Sequence, residues 1–99
     1  MRVLTATKSL EVFDVLENME GVEQKEALFT GQIRDALPDV ALVVIDFDDV
    51  VEHPYGVEVL RRHFADHEVL YVSSEEFVAQ PEYWKKEAEG QGRKTFTRI

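Results

Sequence analysis

Three acidic residues at the end of an apolar run are the part of this sequence best suited to chemistry. Asp46, Asp48 and Asp49 follow the run Val40–Ile45, whose β-branched composition is typical of a strand buried on both faces. In open α/β sheets, ligands and reactive groups gather at the carboxyl ends of the strands. A carboxylate there can accept a phosphoryl group or contribute to an Mg²⁺ site. Asp46 is therefore the first candidate for a functional residue.

The elements that must position this cluster alternate between strand and helix. Apolar residues recur at helical spacing at Val12, Val15, Leu16 and Met19. Strands are predicted at 2–5, within 22–29, at 40–45, at 69–72 and at 93–99, and helices at 31–37, at 54–64 and from 81 to the glycines at 90 and 92. Ser73 and Glu76 have the spacing of a capping box. Because parallel crossovers are right-handed, this order predicts a three-layer α/β fold with an open parallel sheet of about five strands.

Composition limits the function classes. The chain has 99 residues, of which 44% are hydrophobic, so residues 1–99 are expected to form a single domain. A net charge of −9 argues against nucleic acid and anionic membranes as partners. The absence of cysteine excludes disulfides and thiolate metal sites. No apolar run has the length of a signal peptide or a membrane span, so we expect a cytoplasmic protein.

Four segments together resemble response-regulator receiver domains, which have the CheY-like version of this fold. Residues 22–27, 31–37, 41–47 and 56–62 resemble the second strand, second helix, third strand and third helix of that family. The resemblance implies that Asp46 is the phosphoacceptor and that Ser73 is the hydroxyl residue at the end of the fourth strand. It also implies a role in signal transduction.

The chain departs from the receiver pattern at the metal site and at the end. Receivers carry an acidic pair after the first strand, where this chain has Thr7 and Lys8. The lysine near the end of their fifth strand is replaced by Lys94, which comes early, or Arg98, which comes late, and their last helix is missing. One carboxylate beside an ammonium would hold Mg²⁺ poorly, so no cofactor is expected. The chain therefore resembles degenerate pseudo-receivers, which act by dimerising or binding a protein partner rather than by catalysis.

Two further expectations follow from this resemblance. If Asp46 is phosphorylated, the added charge would meet Lys8 or Lys94 and draw Ser73 inward. The absence of a last helix would leave an apolar strip of the sheet bare, and such strips usually mark interaction sites. Tyr83, Trp84 and Phe96 are the candidate interface residues, because aromatic side chains anchor protein contacts.

Two other functions compete for the same residues. The segment 46–51 resembles the first motif of haloacid-dehalogenase-type phosphatases, in which Asp46 would be the nucleophile and Asp48 the general acid/base. In that reading the segment 69–73 resembles the family's second motif, but the later acidic pair that the family needs is absent. The remaining alternative is a small subunit of a larger assembly.

Three histidines could suggest a transition-metal site. His63 and His67 are four residues apart on a predicted helix, and His53 lies nearby in sequence. A histidine near the end of a helix is also favoured by the helix dipole alone. The sequence therefore predicts no metal site at these residues.

Overall fold

The computed structural model describes residues 1–51 and 56–90, which form a parallel sheet between two layers of helices. The strands are β1 (Arg2–Ala6), β2 (Glu23–Glu26), β3 (Leu42–Ile45) and β4 (Leu70–Val72), in the order β2-β1-β3-β4. Every pairing is parallel, so the predicted open α/β sheet is confirmed for four strands. The predicted fifth strand, with Lys94 and Phe96, lies outside the described residues.

Five α-helices accompany the sheet within residues 1–51 and 56–90. They are α1 (Leu10–Glu17), α2 (Thr30–Ala36), α3 (Gly56–Asp66), α4 (Ser74–Ala79) and α5 (Pro81–Glu89). Short 3₁₀ turns at Leu37–Asp39 and Phe47–Asp49 flank β3. None of the helices in the described ranges has the length and apolar character needed to span a membrane.

Alternating side chains of the sheet form two separate cores. On one face, α2 and α3 pack Ile33, Leu37, Leu60 and Phe64 against Leu4, Val43, Ile45 and Tyr71. On the other face, α1, α4 and α5 pack Val12, Leu16, Phe77, Trp84 and Ala88 against Val3, Leu42, Val44, Leu70 and Val72. Each strand of the sheet centre is therefore buried on both sides, as the apolar run before Asp46 predicts.

The sheet face next to α1 is covered, contrary to the expectation of a bare apolar strip. The chain turns after β4 onto this face, where Phe77 and Trp84 fill the space beside α1. Trp84 is only 6% exposed, and its indole Nε1 donates a hydrogen bond of 3.0 Å to the carbonyl oxygen of Glu76. The structure thus places Trp84 in the core rather than at a surface. Its neighbour Tyr83 remains 48% exposed.

Candidate functional site

The crevice of the fold opens where β1 and β3 meet. These strands are neighbours, yet α1 follows β1 on one face of the sheet and α3 follows β3 on the other. In doubly wound sheets such a switch point is where ligands bind. Residues 7–9 and 46–49 line the two sides of the crevice, so the acidic cluster is at the location that the sequence predicts.

Asp46 is held by hydrogen bonds from both neighbouring strand ends. The hydroxyls of Thr7 and Ser74 each donate to its Oδ2 at 2.6 Å. The backbone N–H of Ser74 donates to Oδ1 at 3.1 Å. Thr7 follows β1 and Ser74 begins α4 after β4, so this one carboxylate joins the carboxyl ends of three adjacent strands. Both of its oxygens are used by the protein itself.

The environment of Asp46 favours the charged carboxylate. Burial alone would raise its pKa, but the hydrogen bonds from Ser74 and Thr7 outweigh burial and lower the pKa below the ordinary value of 3.8. Hydrogen bonds to an ionised acceptor are about twice as strong as neutral ones. Asp46 is therefore an anion at neutral pH, and the protein is arranged to keep it so.

A second carboxylate, that of Asp49, connects the loop after β1 to the turn after β3 through hydrogen bonds. The backbone N–H of Lys8 donates to Oδ2 of Asp49 at 2.8 Å, and the same oxygen is 3.3 Å from the Thr7 hydroxyl. The N–H of Ser9 in turn donates to Thr7 Oγ1 at 3.1 Å. Lys8 thus contributes its main chain to the crevice, while the residue itself is exposed. These hydrogen bonds thus join the loop after β1 to the turn after β3.

The two adjacent serines after β4 have different roles. Ser73 is the N-cap of α4, since its hydroxyl accepts a hydrogen bond of 3.2 Å from the N–H of Glu76, as the capping-box spacing predicts. The hydroxyl that contacts Asp46 belongs to Ser74. The resemblance to receivers matched this hydroxyl to Ser73 to within a residue, and the hydroxyl that contacts Asp46 is one residue further along the chain. The capping signal could have shown this, because a serine engaged at the helix start is not free to reach Asp46.

An open cleft of about 540 Å³ adjoins Asp46 and Asp49. Asp48 is exposed in its lining and does not join the hydrogen bonds of Asp46. Across the cleft, the Arg61 guanidinium lies 4.5 Å from the centroid of the Phe47 ring and donates to Glu58 at 2.6 Å. Asp46, Asp49 and Glu76 also line the cleft, so its described lining is mainly acidic, with Arg61 as the cationic group.

Metal-binding side chains do not converge in the described part of the chain. The rings of His63 and His67 stack on α3 with centroids 6.5 Å apart, and His53 lies outside the described residues. Within residues 1–51 and 56–90, no three histidine or acidic side chains are grouped so that they could hold an ion. The described histidines form a pair on a helix surface.

The architecture can be compared with known folds, and the chain with known proteins. The strand order and the helices on both faces are compatible with a flavodoxin-like or CheY-like open sheet. No protein-family model matches the chain, and no curated protein and no solved structure matches it.

Proposed function

We propose that this chain is a non-catalytic regulatory domain that resembles a degenerate receiver and acts by binding a protein partner or a second copy of itself. The observation that carries the proposal is the position of Asp46, whose two oxygens accept three hydrogen bonds from Thr7 and Ser74. The hydrogen bonds of this carboxylate join three strand ends, and both of its oxygens are engaged at the border of the open cleft.

The chemistry of phosphoryl transfer explains why this arrangement disfavours an active site. To accept a phosphoryl group, a carboxylate oxygen must attack phosphorus while the bond from phosphorus to the donor's leaving oxygen breaks, which gives an acyl phosphate. At Asp46 an attacking Oδ2 would lose two charge-assisted hydrogen bonds and an attacking Oδ1 would lose one, each contributing about 1.5–3 kcal/mol. The carboxylate of Asp49 is engaged as well, since its Oδ2 accepts a hydrogen bond from the N–H of Lys8. A backbone N–H carries positive partial charge and does not ligate Mg²⁺.

Phosphoryl labelling tests this proposal. The protein is incubated with Mg²⁺ and a small phosphoryl donor such as acetyl phosphate, and the intact mass is measured. We expect no label that depends on Asp46, so the unmodified chain and Asp46→Asn should show the same fraction of labelled chain. Asp48→Asn is the matched control, because Asp48 is exposed and lies outside the hydrogen bonds of Asp46. A label present in the unmodified chain and in Asp48→Asn but lost in Asp46→Asn would overturn the proposal.

The binding role rests on apolar side chains left at the surface. Leu10, at the start of α1, is 76% exposed, and Phe29 is 50% exposed. Val51 is 43% exposed and is bridged to Phe29 by parallel backbone pairing, so these two form one apolar patch. Exposed apolar patches of this kind are where partners dock.

Self-association can be measured directly. Sedimentation velocity over a range of protein concentrations should show a monomer–dimer equilibrium, and Phe29→Ser or Leu10→Ser should shift it towards monomer if that residue lies in the contact. Glu11→Gln, an exposed polar change next to Leu10, is the control. A single monomeric species at every concentration would rule out the second copy and leave a different protein as the partner.

A further inference from the structure

The strand β2 lies at an edge of the sheet and is exposed along its whole length. It pairs with β1 on one side, and within residues 1–51 and 56–90 no strand lies on its other side. All four of its residues are exposed, whereas those of β3 and β4 are buried. A free strand edge is a template on which another chain can add a strand. A second chain can therefore approach β2 without displacing any side chain of the core.

The main chain of β2 shows which of its residues face the free edge. The N–H of Glu23 donates a hydrogen bond of 2.8 Å to the carbonyl oxygen of Met1. The carbonyl oxygen of Lys25 accepts a hydrogen bond of 3.2 Å from the hydroxyl of Thr5 in β1. Glu23 and Lys25 thus direct their main-chain groups towards β1. Because successive residues of a strand direct these groups to opposite sides, the N–H and C=O of Gln24 point away from the sheet.

A second copy of the chain fits this edge in an antiparallel register centred on Gln24. If a two-fold axis relates the copies there, the two Gln24 residues exchange N–H···O=C hydrogen bonds through their outward-facing groups. Glu23 of each copy then lies opposite Lys25 of the other, in the position where cross-strand side chains are closest. Opposite charges in such pairs stabilise a sheet, and like charges destabilise it. Axes at positions 23, 25 or 26 would place identical charges opposite each other.

The charged groups that this register joins are available for it. Lys25 forms no ion pair within the part of the chain that the structure describes. The Glu23 side chain is 73% exposed and contacts Arg2 at 3.4 Å. Surface pairs of this kind contribute little to stability, so Glu23 can turn to a second partner at small cost. Charges on an edge strand usually prevent pairing. On β2 they disfavour the registers that oppose like charges and favour the one at Gln24.

We propose that two copies of this chain join through their β2 edges, antiparallel about Gln24, into one continuous sheet. This inference rests on the self-association included in the proposed function and names its contact. The net charge of −9 on each copy opposes association, so the dimer depends on the two attractions between Glu23 and Lys25. None of the exposed apolar side chains of the described chain belongs to β2, so they remain available to a different protein.

Charge reversal at the two positions tests the register. Glu23→Lys alone opposes two lysines, and Lys25→Glu alone opposes two glutamates. In sedimentation velocity, the dimer dissociation constant of each variant should therefore rise by about tenfold or more. An equal mixture of the two variants should associate again, because every charge in the contact then meets an opposite one. Glu82→Lys, an exposed change on α5 with the same change in net charge as Glu23→Lys, is the control and should not weaken the dimer.

The central hydrogen bonds have a test of their own. Gln24→Pro removes the outward N–H, which β1 does not use, and edge strands tolerate proline at such positions. The variant should keep the circular dichroism spectrum of the unmodified chain and lose the dimer.

Three results would overturn the inference. The first is a monomer at every concentration of the unmodified chain, and the second is undiminished association of Glu23→Lys or Lys25→Glu alone. The third is a mixture of these two variants that associates no better than either one. Each result would leave the non-catalytic, partner-binding role in place, because the phosphoryl labelling of Asp46 tests that role separately.

Discussion

Replacing Trp84 with alanine is expected to destabilise the domain by about 3–5 kcal/mol, the usual cost of removing a buried tryptophan. Trp84 is 6% exposed and packs on the sheet face shared with α1. The substitution would leave a cavity there and would also remove the hydrogen bond to the Glu76 carbonyl. The free energy of unfolding, measured by urea denaturation with circular dichroism, checks this, and the melting temperature should fall by at least about 12 °C.

The adjacent residue provides the control. Tyr83 is 48% exposed, so Tyr83→Ala should cost no more than about 1 kcal/mol. Trp84→Phe keeps an aromatic ring and loses the indole N–H, so its cost should fall between the two. If Trp84→Ala and Tyr83→Ala had equal small effects, the packing of α5 on the sheet would be incorrect, and Trp84 would return as a candidate interface residue.

Replacing Asp46 with alanine is expected to cost about 3 kcal/mol or more at neutral pH. The carboxylate accepts three hydrogen bonds, and hydrogen bonds to a charged group contribute about 1.5–3 kcal/mol each without being additive. The substitution also leaves the hydroxyls of the buried Thr7 and the half-buried Ser74 without their acceptor. Thr7→Val should reproduce part of this loss. Thermal unfolding of the three chains measures it.

The same carboxylate should make stability depend on acid pH. Its pKa in the folded protein is lower than the ordinary 3.8, so the folded state binds a proton less readily than the unfolded state. This stabilisation is fully present above the unfolded pKa and is lost as the pH falls through the lower folded pKa. Asp46→Asn should therefore be less stable than the unmodified chain at pH 7, and the difference should narrow below about pH 4.

Urea unfolding between pH 2 and pH 6 measures this difference. The other carboxylates titrate in both chains, so their contributions cancel in the comparison. Asp48→Asn should keep the pH dependence of the unmodified chain, because Asp48 is exposed and does not take part in the hydrogen bonds of Asp46. A constant difference between Asp46→Asn and the unmodified chain across this range would contradict the assigned role.

The spacing of apolar residues predicted the helices and strands well, because the buried side chains of each element recur at its own period. The run at 40–45 predicted β3, and the spacing of Val12 and Leu16 predicted the buried face of α1. The segment 22–37 is harder to divide, because its apolar residues fit a strand and also fit helical spacing. It contains β2, whose four residues are all exposed and so carry no alternating pattern. The helix in this segment, α2, contains Ile33 and Ala36, which have helical spacing and are buried.

The sequence predicted where the site around Asp46 lies, but only some of its contacts. The end of a buried strand is a feature of local sequence, so Asp46 could be found. The bond from Thr7 joins residues 39 positions apart, and spacing along the chain does not show whether a hydroxyl approaches a carboxylate. The covered face beside α1 was missed for a related reason. The direction in which the chain turns after β4 is decided by packing of Phe77 and Trp84, which periodicity does not encode.

The central place of β1 constrains the order in which the domain can fold. This strand pairs with β2 and β3, and its partners in β3 lie 39 residues further along the chain, as in the pair Val3 and Leu42. Closing such a separation costs chain entropy before any sheet contact offsets it, so folding should be slower than that of a helical bundle of this size. The amides of β1 and β3 should also be the last to exchange with deuterium, because they open only when the whole domain unfolds.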